Sequence, residues 1–378
     1  MELIYINSGV SPVFPSQVID LLKYYHHNNW FVKIVLICGV RDEFEKKKAE
    51  ELLVSSSLDV VYYKSFPNYP FYNVLAKIQL VKAINKVRIG DSTVFHSRGW
   101  SSASLVDKSL HKVGLSNPKI LLDIRGAIKE EVLDFQKNNW LKKTIKSVNI
   151  SKVISALKNY AFISVVSEAL KDYVLSNVGK IEGGVLVTPC LAGESFSYSG
   201  ILREKLRNIL GIKENEKLLV FSSGGESLWQ NNQEIIKIAN KGFKVLNLSK
   251  VNVDHPNVIT KYVKYEEVSG YMSAADVALI FREKSIVNKV ASPVKFSEYL
   301  CSGLPVISNK NVDVIKQCIE NTGYGLLIES MEDITFEAIH KLCAIPRNKI
   351  SEFGRKHFGI ESVAEGYLKI YNKMIKQE

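Results

Sequence analysis

Apolar runs of strand length alternate with stretches of helical period almost throughout this chain. In the first half the short apolar runs fall at residues 2–6, 32–37, 60–63, 93–96, 119–123, 162–166 and 185–189. Helical periodicity fills the gaps, for instance at 16–27 and 42–55. In the second half the runs recur at 217–222, 243–248, 258–260, 277–281, 305–308 and 325–328. Such alternation predicts an open α/β sheet covered by helices on both faces. Two series in tandem predict two Rossmann-like domains rather than one large sheet. The join is expected within 190–200, a stretch rich in Gly, Ser and aromatic residues. The expected division is a first domain at 1–190, a linker at 191–200 and a second domain at 201–359. A last helix near 362–374 follows the second sheet and could fold back on either domain, 360–378 on the first domain being one of the two.

Bulk properties narrow the class. The chain has 378 residues, suited to two domains, with 46% hydrophobic and 24% charged residues, which argues against disorder. Its longest apolar runs fall short of the ~18 to 20 residues that span a bilayer. Strand-like sequence begins at Leu3 with no leader pattern before it, so the expected location is the cytoplasm. The five cysteines, Cys38, Cys190, Cys301, Cys318 and Cys343, include no C-x-x-C pair, so neither disulfides nor a structural zinc is expected.

The net charge of +11 calls for an anionic partner. From Lys137 to Ser167 there is no Asp or Glu, while Lys142, Lys143, Lys146, Lys152 and Lys158 alternate with apolar residues. Asn149 to Ser151 is expected to break this stretch into two helices. One reading lays 137–158 on an anionic membrane surface. The other turns its apolar stripe to the core and its lysines to solvent. No nucleic-acid signature accompanies the lysines, so no nucleic-acid partner is expected.

The segment carrying most chemical information runs from Ala291 to Ile307, A-S-P-V-K-F-S-E-Y-L-C-S-G-L-P-V-I. Ser292 is expected as an N-cap and Pro293 as the first helical residue, with Gly303 ending the helix. A helix start at Val294 presents unpaired backbone N–H groups and the positive end of the helix dipole, an arrangement suited to a diphosphate. Lys295 adds a full charge there. Glu298 would repel phosphate, so its fitting partner is a hydroxyl donor such as a ribose diol.

This segment resembles the nucleotide-sugar signature of family 4 retaining glycosyltransferases, in the S-P-x-K-x-x-E-Y-x-x-x-G-x-P-V-I variant of bacterial polysaccharide, O-antigen and capsule enzymes. Other stretches resemble the same family in order: Ser8-Gly9 with Phe14 and Gln17; Phe95-His96-Ser97-Arg98-Gly99; Asp123-Ile124-Arg125-Gly126 with Glu130-Glu131; and Ser223-Gly224-Gly225 with Trp229-Gln230. The resemblance implies the GT-B fold, two Rossmann-like domains facing across a cleft. It implies that Glu298 binds ribose and that Ser292, Pro293, Val294 and Lys295 hold the diphosphate, with Ser223 and Gly224 at a phosphate-facing turn. Asp123 and Arg125, at a strand end, are expected to face the acceptor or the transferred sugar. The competing reading makes them an internal ion pair. Gly9, Gln17, His96, Arg98 and Glu130 are expected on the acceptor side. Two positions depart from the pattern. The first glutamate of the family's pair would fall at Val290, and the basic residues that follow the glycine turn are missing, so Arg282 is the expected replacement cation.

The expected activity is transfer of a sugar from a nucleoside-diphosphate sugar to a glycan or lipid-linked envelope acceptor, peripherally at the inner face of the membrane. No two Asp residues lie two positions apart, so no D-x-D metal site exists. Arg, Lys and the helix dipole are expected to act without metal or cofactor. A nucleotide-sugar epimerase of similar architecture and a non-catalytic nucleotide-sugar-binding protein are the alternatives.

Overall fold

The computed structural model describes residues 1–67, 69–133, 140–223 and 233–376. The chain divides into two compact units, Met1–Pro189 with Ala364–Glu378, and Cys190–Val363.

The first unit holds strands β1 (Glu2–Asn7), β2 (Lys33–Val40), β3 (Asp59–Lys64), β4 (Thr93–Arg98), β5 (Lys119–Ile124), β6 (Phe162–Val165) and β7 (Val185–Val187). All pair in parallel, in the order β3-β2-β1-β4-β5-β6-β7 among the described residues. Central strands are buried almost continuously, as parallel strands covered on both faces must be, whereas the edge strand β3 is only half-buried. The expected helix at 16–27 forms as a wide π-type turn, Pro15–Ile19, running into the helix Asp20–His27. The helix Glu43–Leu53 starts where the Asp42 carboxylate accepts from the Glu45 N–H at 2.8 Å.

The second unit holds β8 (Leu218–Ser222), β9 (Lys244–Leu248), β10 (Val258–Thr260), β11 (Val277–Ile280), β12 (Val306–Asn309) and β13 (Gly325–Ile328). These too are parallel, in the order β10-β9-β8-β11-β12-β13. Successive residues point to opposite faces. Leu218, Val220, Ala278 and Ile280 enter one core, which also receives Phe296, Tyr299 and Leu300. Leu219, Phe221, Val277 and Leu279 enter the other, with Ile235, Ile238 and Ile339.

Within the connecting segment 191–200, Leu191, Ala192 and Phe196 are buried, and Ala192 bridges to Gly359. The basic segment is one helix, Trp140–Ala156, with no break at Asn149–Ser151. Asn149 is held inside by the Asn73 side chain, whose Nδ2 donates to it at 3.2 Å. Ile150, Val153 and Leu157 face the core while Lys152 and Lys158 are exposed, so this part of the helix follows the core-facing reading. Residues 137–139 and the side chains of Lys142 and Lys143 lie outside the described residues. The last helix, Ile360–Lys376, contains the division between the units. Its buried Tyr367, Ile370, Tyr371 and Met374 recur at helical spacing.

Candidate functional site

In the second unit, the strand order reverses between β8 and β11, and the carboxyl ends of these strands are where open α/β sheets take ligands. Ser222 and Ser223 end β8 and Phe281-Arg282 follow β11, so both groups stand at that reversal. The helix Val294–Cys301 starts on the connection between β11 and β12, at the same end of the sheet.

That helix is fixed along its length. Its carboxyl end is clamped by the neighbouring helix Arg347–Phe358: Arg347 donates to the Ser302 and Gly303 carbonyls at 3.0 and 3.2 Å, and the Ser351 hydroxyl to that of Cys301 at 2.7 Å. Gly303, at φ +72°, ends it in the left-handed conformation. Midway, the buried Tyr299 hydroxyl accepts from the Ser222 N–H at 2.8 Å, tying the helix to the end of β8. At the front, Pro293 is the N-cap and Val294 the first helical residue, which shifts the expected start by one. Ser292 does not cap. Its hydroxyl accepts from the Cys190 N–H at 3.2 Å while Ser297 donates to the Cys190 carbonyl at 2.7 Å. Ser292 thereby braces the entry of the second unit.

Lys295 and Glu298, expected to take diphosphate and ribose separately, are joined to each other, Nζ to Oε2 at 2.6 Å. Glu298 is 1% exposed. Burial pushes its carboxyl above the ordinary range, and the Lys295 charge and hydrogen bond only partly offset this. Arg282 is half-buried, and desolvation lowers its guanidinium to about 10. No carboxylate pairs with its side chain among the described residues. Its backbone is anchored, its carbonyl accepting from Asn309 at 2.8 Å and Asn311 at 2.7 Å. Ser223 is buried and its N–H donates to the Leu248 carbonyl at 3.1 Å, so this amide is not available to a phosphate. Gly224, Gly225, Trp229 and Gln230 lie outside the described residues. Val290 is a buried apolar residue and Glu283 is exposed, so neither supplies the motif's first carboxylate.

In the first unit, five expected residues meet in one buried cluster. Asp123 is fully buried. Its carboxylate accepts from Ser164 at 3.0 Å, from Arg125 at 3.3 Å and from Arg98 at 3.4 Å, with His96 Nε2 at 3.6 Å. Arg125 also donates to Gln17 Oε1 at 3.2 Å and to the Tyr367 hydroxyl at 3.0 Å. Burial alone would raise the Asp123 carboxyl, but Arg125, His96 and Arg98 outweigh it and hold the group well below the carboxylate range. Burial lowers His96, so it is neutral near pH 7, with Nδ1 2.6 Å from the Tyr371 hydroxyl and its ring stacked on Tyr5. Asp123 and Arg125, expected to face the acceptor or the transferred sugar, are paired with each other in this structure. Gln17, His96 and Arg98, expected on the acceptor side, take part in the same network. Ser164, Tyr367 and Tyr371 were missed from sequence. The two tyrosines sit on the buried stripe of the last helix, where a phenol needs a polar partner, and that was the available signal.

Two expected residues stay outside this cluster. The Gly9 carbonyl accepts from the Asn7 side chain at 2.6 Å. Glu130 accepts from the Tyr173 hydroxyl at 2.6 Å. Its neighbour Glu131 is the more perturbed carboxyl, raised to about 7 by burial and by the Glu130 charge.

No protein-family model matches the chain, and no curated protein matches it. Solved structures do. The Anabaena protein Alr3699/HepE, solved with UDP and with UDP and glucose, superposes with TM-scores of 0.70 and 0.71 at 12% and 11% identity. Both alignments cover 99% of this chain and 100% of that one. The α,α-trehalose-phosphate synthase (UDP-forming) from Burkholderia vietnamiensis gives 0.61 at 10% identity, covering 99% and 100%. The glycotransferase of kitacinnamycin gives 0.56 at 11%, covering 98% of each chain. With the two parallel sheets, these likenesses establish the GT-B two-unit α/β fold.

Proposed function

We propose that this chain is a retaining glycosyltransferase that moves a sugar from a nucleoside-diphosphate sugar to a lipid-linked glycan of the cell envelope, peripherally at the inner face of the membrane and without metal. One observation carries the reading. Where the second sheet reverses its strand order, the half-buried Arg282, without a carboxylate partner among the described residues, accompanies the start of a firmly anchored helix carrying Lys295 and Glu298. The UDP complexes of the Anabaena protein, which shares this fold, support a nucleotide donor.

Departure of a nucleoside diphosphate leaves negative charge on its phosphates, and stabilising that charge is the protein's main task. Arg282, the Lys295 ammonium and the first N–H groups of the helix at Val294 would supply it. Their positions are set before substrate arrives, because Arg347, Ser351 and Tyr299 hold the helix. Glu298, paired with Lys295, would accept from the ribose hydroxyls, a second stabilising contact for its carboxylate. Among the described residues, Asp123 is enclosed and Val290, at the position of the motif's first glutamate, is apolar. The proposed retention of configuration therefore relies on the departing diphosphate, which accepts the proton of the incoming hydroxyl on the same face of the sugar.

Incubating the protein with a panel of nucleotide sugars and lipid-linked acceptors tests this. Release of a nucleoside diphosphate, with the sugar transferred in its original anomeric configuration, is expected. Absence of release with every donor would overturn the assignment.

A further inference from the structure

The helix Asn73–Ile84 is apolar on both sides, yet its own domain covers only one. Ala76, Leu80, Ala83 and Ile84 are buried. Opposite them Phe71, Val74, Leu75 and Ile78 are 64%, 67%, 46% and 45% exposed. Their spacing, i, i+3, i+4 and i+7, makes one continuous stripe. The aromatic turn before the helix extends it: the rings of Tyr69 and Phe71 stack at 5.6 Å, and those of Phe71 and Tyr72 lie 4.5 Å apart. Isolated exposed apolar side chains need no explanation, but a contiguous aliphatic and aromatic patch does.

The charge around the stripe identifies its occupant. Between Asp59 and Asp91 the chain has no acidic residue, while Lys64, Lys77, Lys82, Lys86 and Arg88 all occur. The acid-free basic helix Trp140–Ala156 lies alongside, joined by the Asn73–Asn149 hydrogen bond and by Lys146, whose ammonium sits 5.4 Å from the Tyr69 ring centre. A second copy of this chain would bring one cationic rim against another and be repelled. We infer that this stripe is a surface that enters a lipid bilayer, with Phe71, Val74, Leu75 and Ile78 in the headgroup and acyl boundary and the surrounding lysines against anionic headgroups. The basic helix gives its described apolar residues from Ile150 onward to the core and contributes charge. This deepens the membrane part of the function proposed above and rests on that reading only for the place of the acceptor.

The test reads vesicle binding without turnover, so its failure is distinguishable from failure of sugar transfer. Full-length protein is co-sedimented with vesicles of phosphatidylcholine alone or mixed with phosphatidylglycerol. Binding to the anionic vesicles only is expected. The triple variant Val74→Ser, Leu75→Ser, Ile78→Ser should lose at least about tenfold in binding, since three apolar side chains no longer leave water. Lys82→Glu with Lys146→Glu should lose binding similarly, and both sets should melt as the parent does. Phe71→Trp gives an independent readout, a blue shift in fluorescence when anionic vesicles are added. Undiminished binding by the triple variant, no shift at Trp, or a parent dimer that the triple variant dissolves would each overturn the inference.

Discussion

Asp123 is a carboxylate at the end of a parallel strand, a place suited to ligand groups, and here the side chains of Ser164, Arg125, Arg98 and His96 surround it. Asp123→Asn should destabilise the protein by about 3 kcal/mol, because it leaves the Arg98 and Arg125 charges without their counter-ion; chemical denaturation measures this. Folded-state lowering of both Asp123 and His96 sets the pH response. A group lowered by folding stabilises above its unfolded pKa and loses that contribution as pH falls. The parent should therefore weaken first below about 6.5, as unfolded His96 binds a proton the fold refuses, and again below about 3.9, as unfolded Asp123 does. In Asp123→Asn the second loss should shrink. Sequence reasoning reached Gln17, His96, Arg98, Asp123 and Arg125 as important positions because polar groups at strand ends stand out. It could not reach their mutual pairing, which depends on Ser164, Tyr367 and Tyr371 arriving from distant elements.

Among the elements, the helix Val294–Cys301 was legible almost to the residue. Proline before it, glycine after it and the apolar spacing of Phe296, Tyr299 and Leu300 are local signals. What anchors it was not local. The helix Arg347–Phe358 crosses it so closely that a Cβ on Gly354 would lie 2.5 Å from the Cys301 nitrogen and 2.5 Å from the Leu300 carbonyl carbon. Gly354→Ala must push the two helices apart, with an expected loss of about 2 kcal/mol. Since that helix carries Lys295 and Glu298, nucleotide affinity should fall with stability, and thermal unfolding with and without nucleoside diphosphate reads both. The basic segment was harder to read. Its composition fits a membrane face and a solvated face equally, and the burial of Ile150, Val153 and Leu157 speaks only for its second half. The exposed stripe of the helix Asn73–Ile84 escaped notice because a helix with apolar residues on two sides looks, in sequence, like one buried on both.

For the whole molecule, the fold was the most legible level. Short apolar runs in two series translate directly into two parallel sheets, since strands covered on both faces have no polar positions to spare. The role of residues 191–200 was not, because Gly, Ser and aromatic residues describe a linker and a packed loop alike. The central claim concerns a nucleotide at the reversal point of the second sheet, with Arg282 as its cation. The most direct measurement is calorimetric titration of UDP and other nucleoside diphosphates into the parent and Arg282→Gln. We expect at least one nucleotide to bind the parent, and the variant to bind it about tenfold or more weakly, the loss of a charge-assisted contact. Equal affinity in parent and variant, or no binding of any nucleoside diphosphate, would contradict the account.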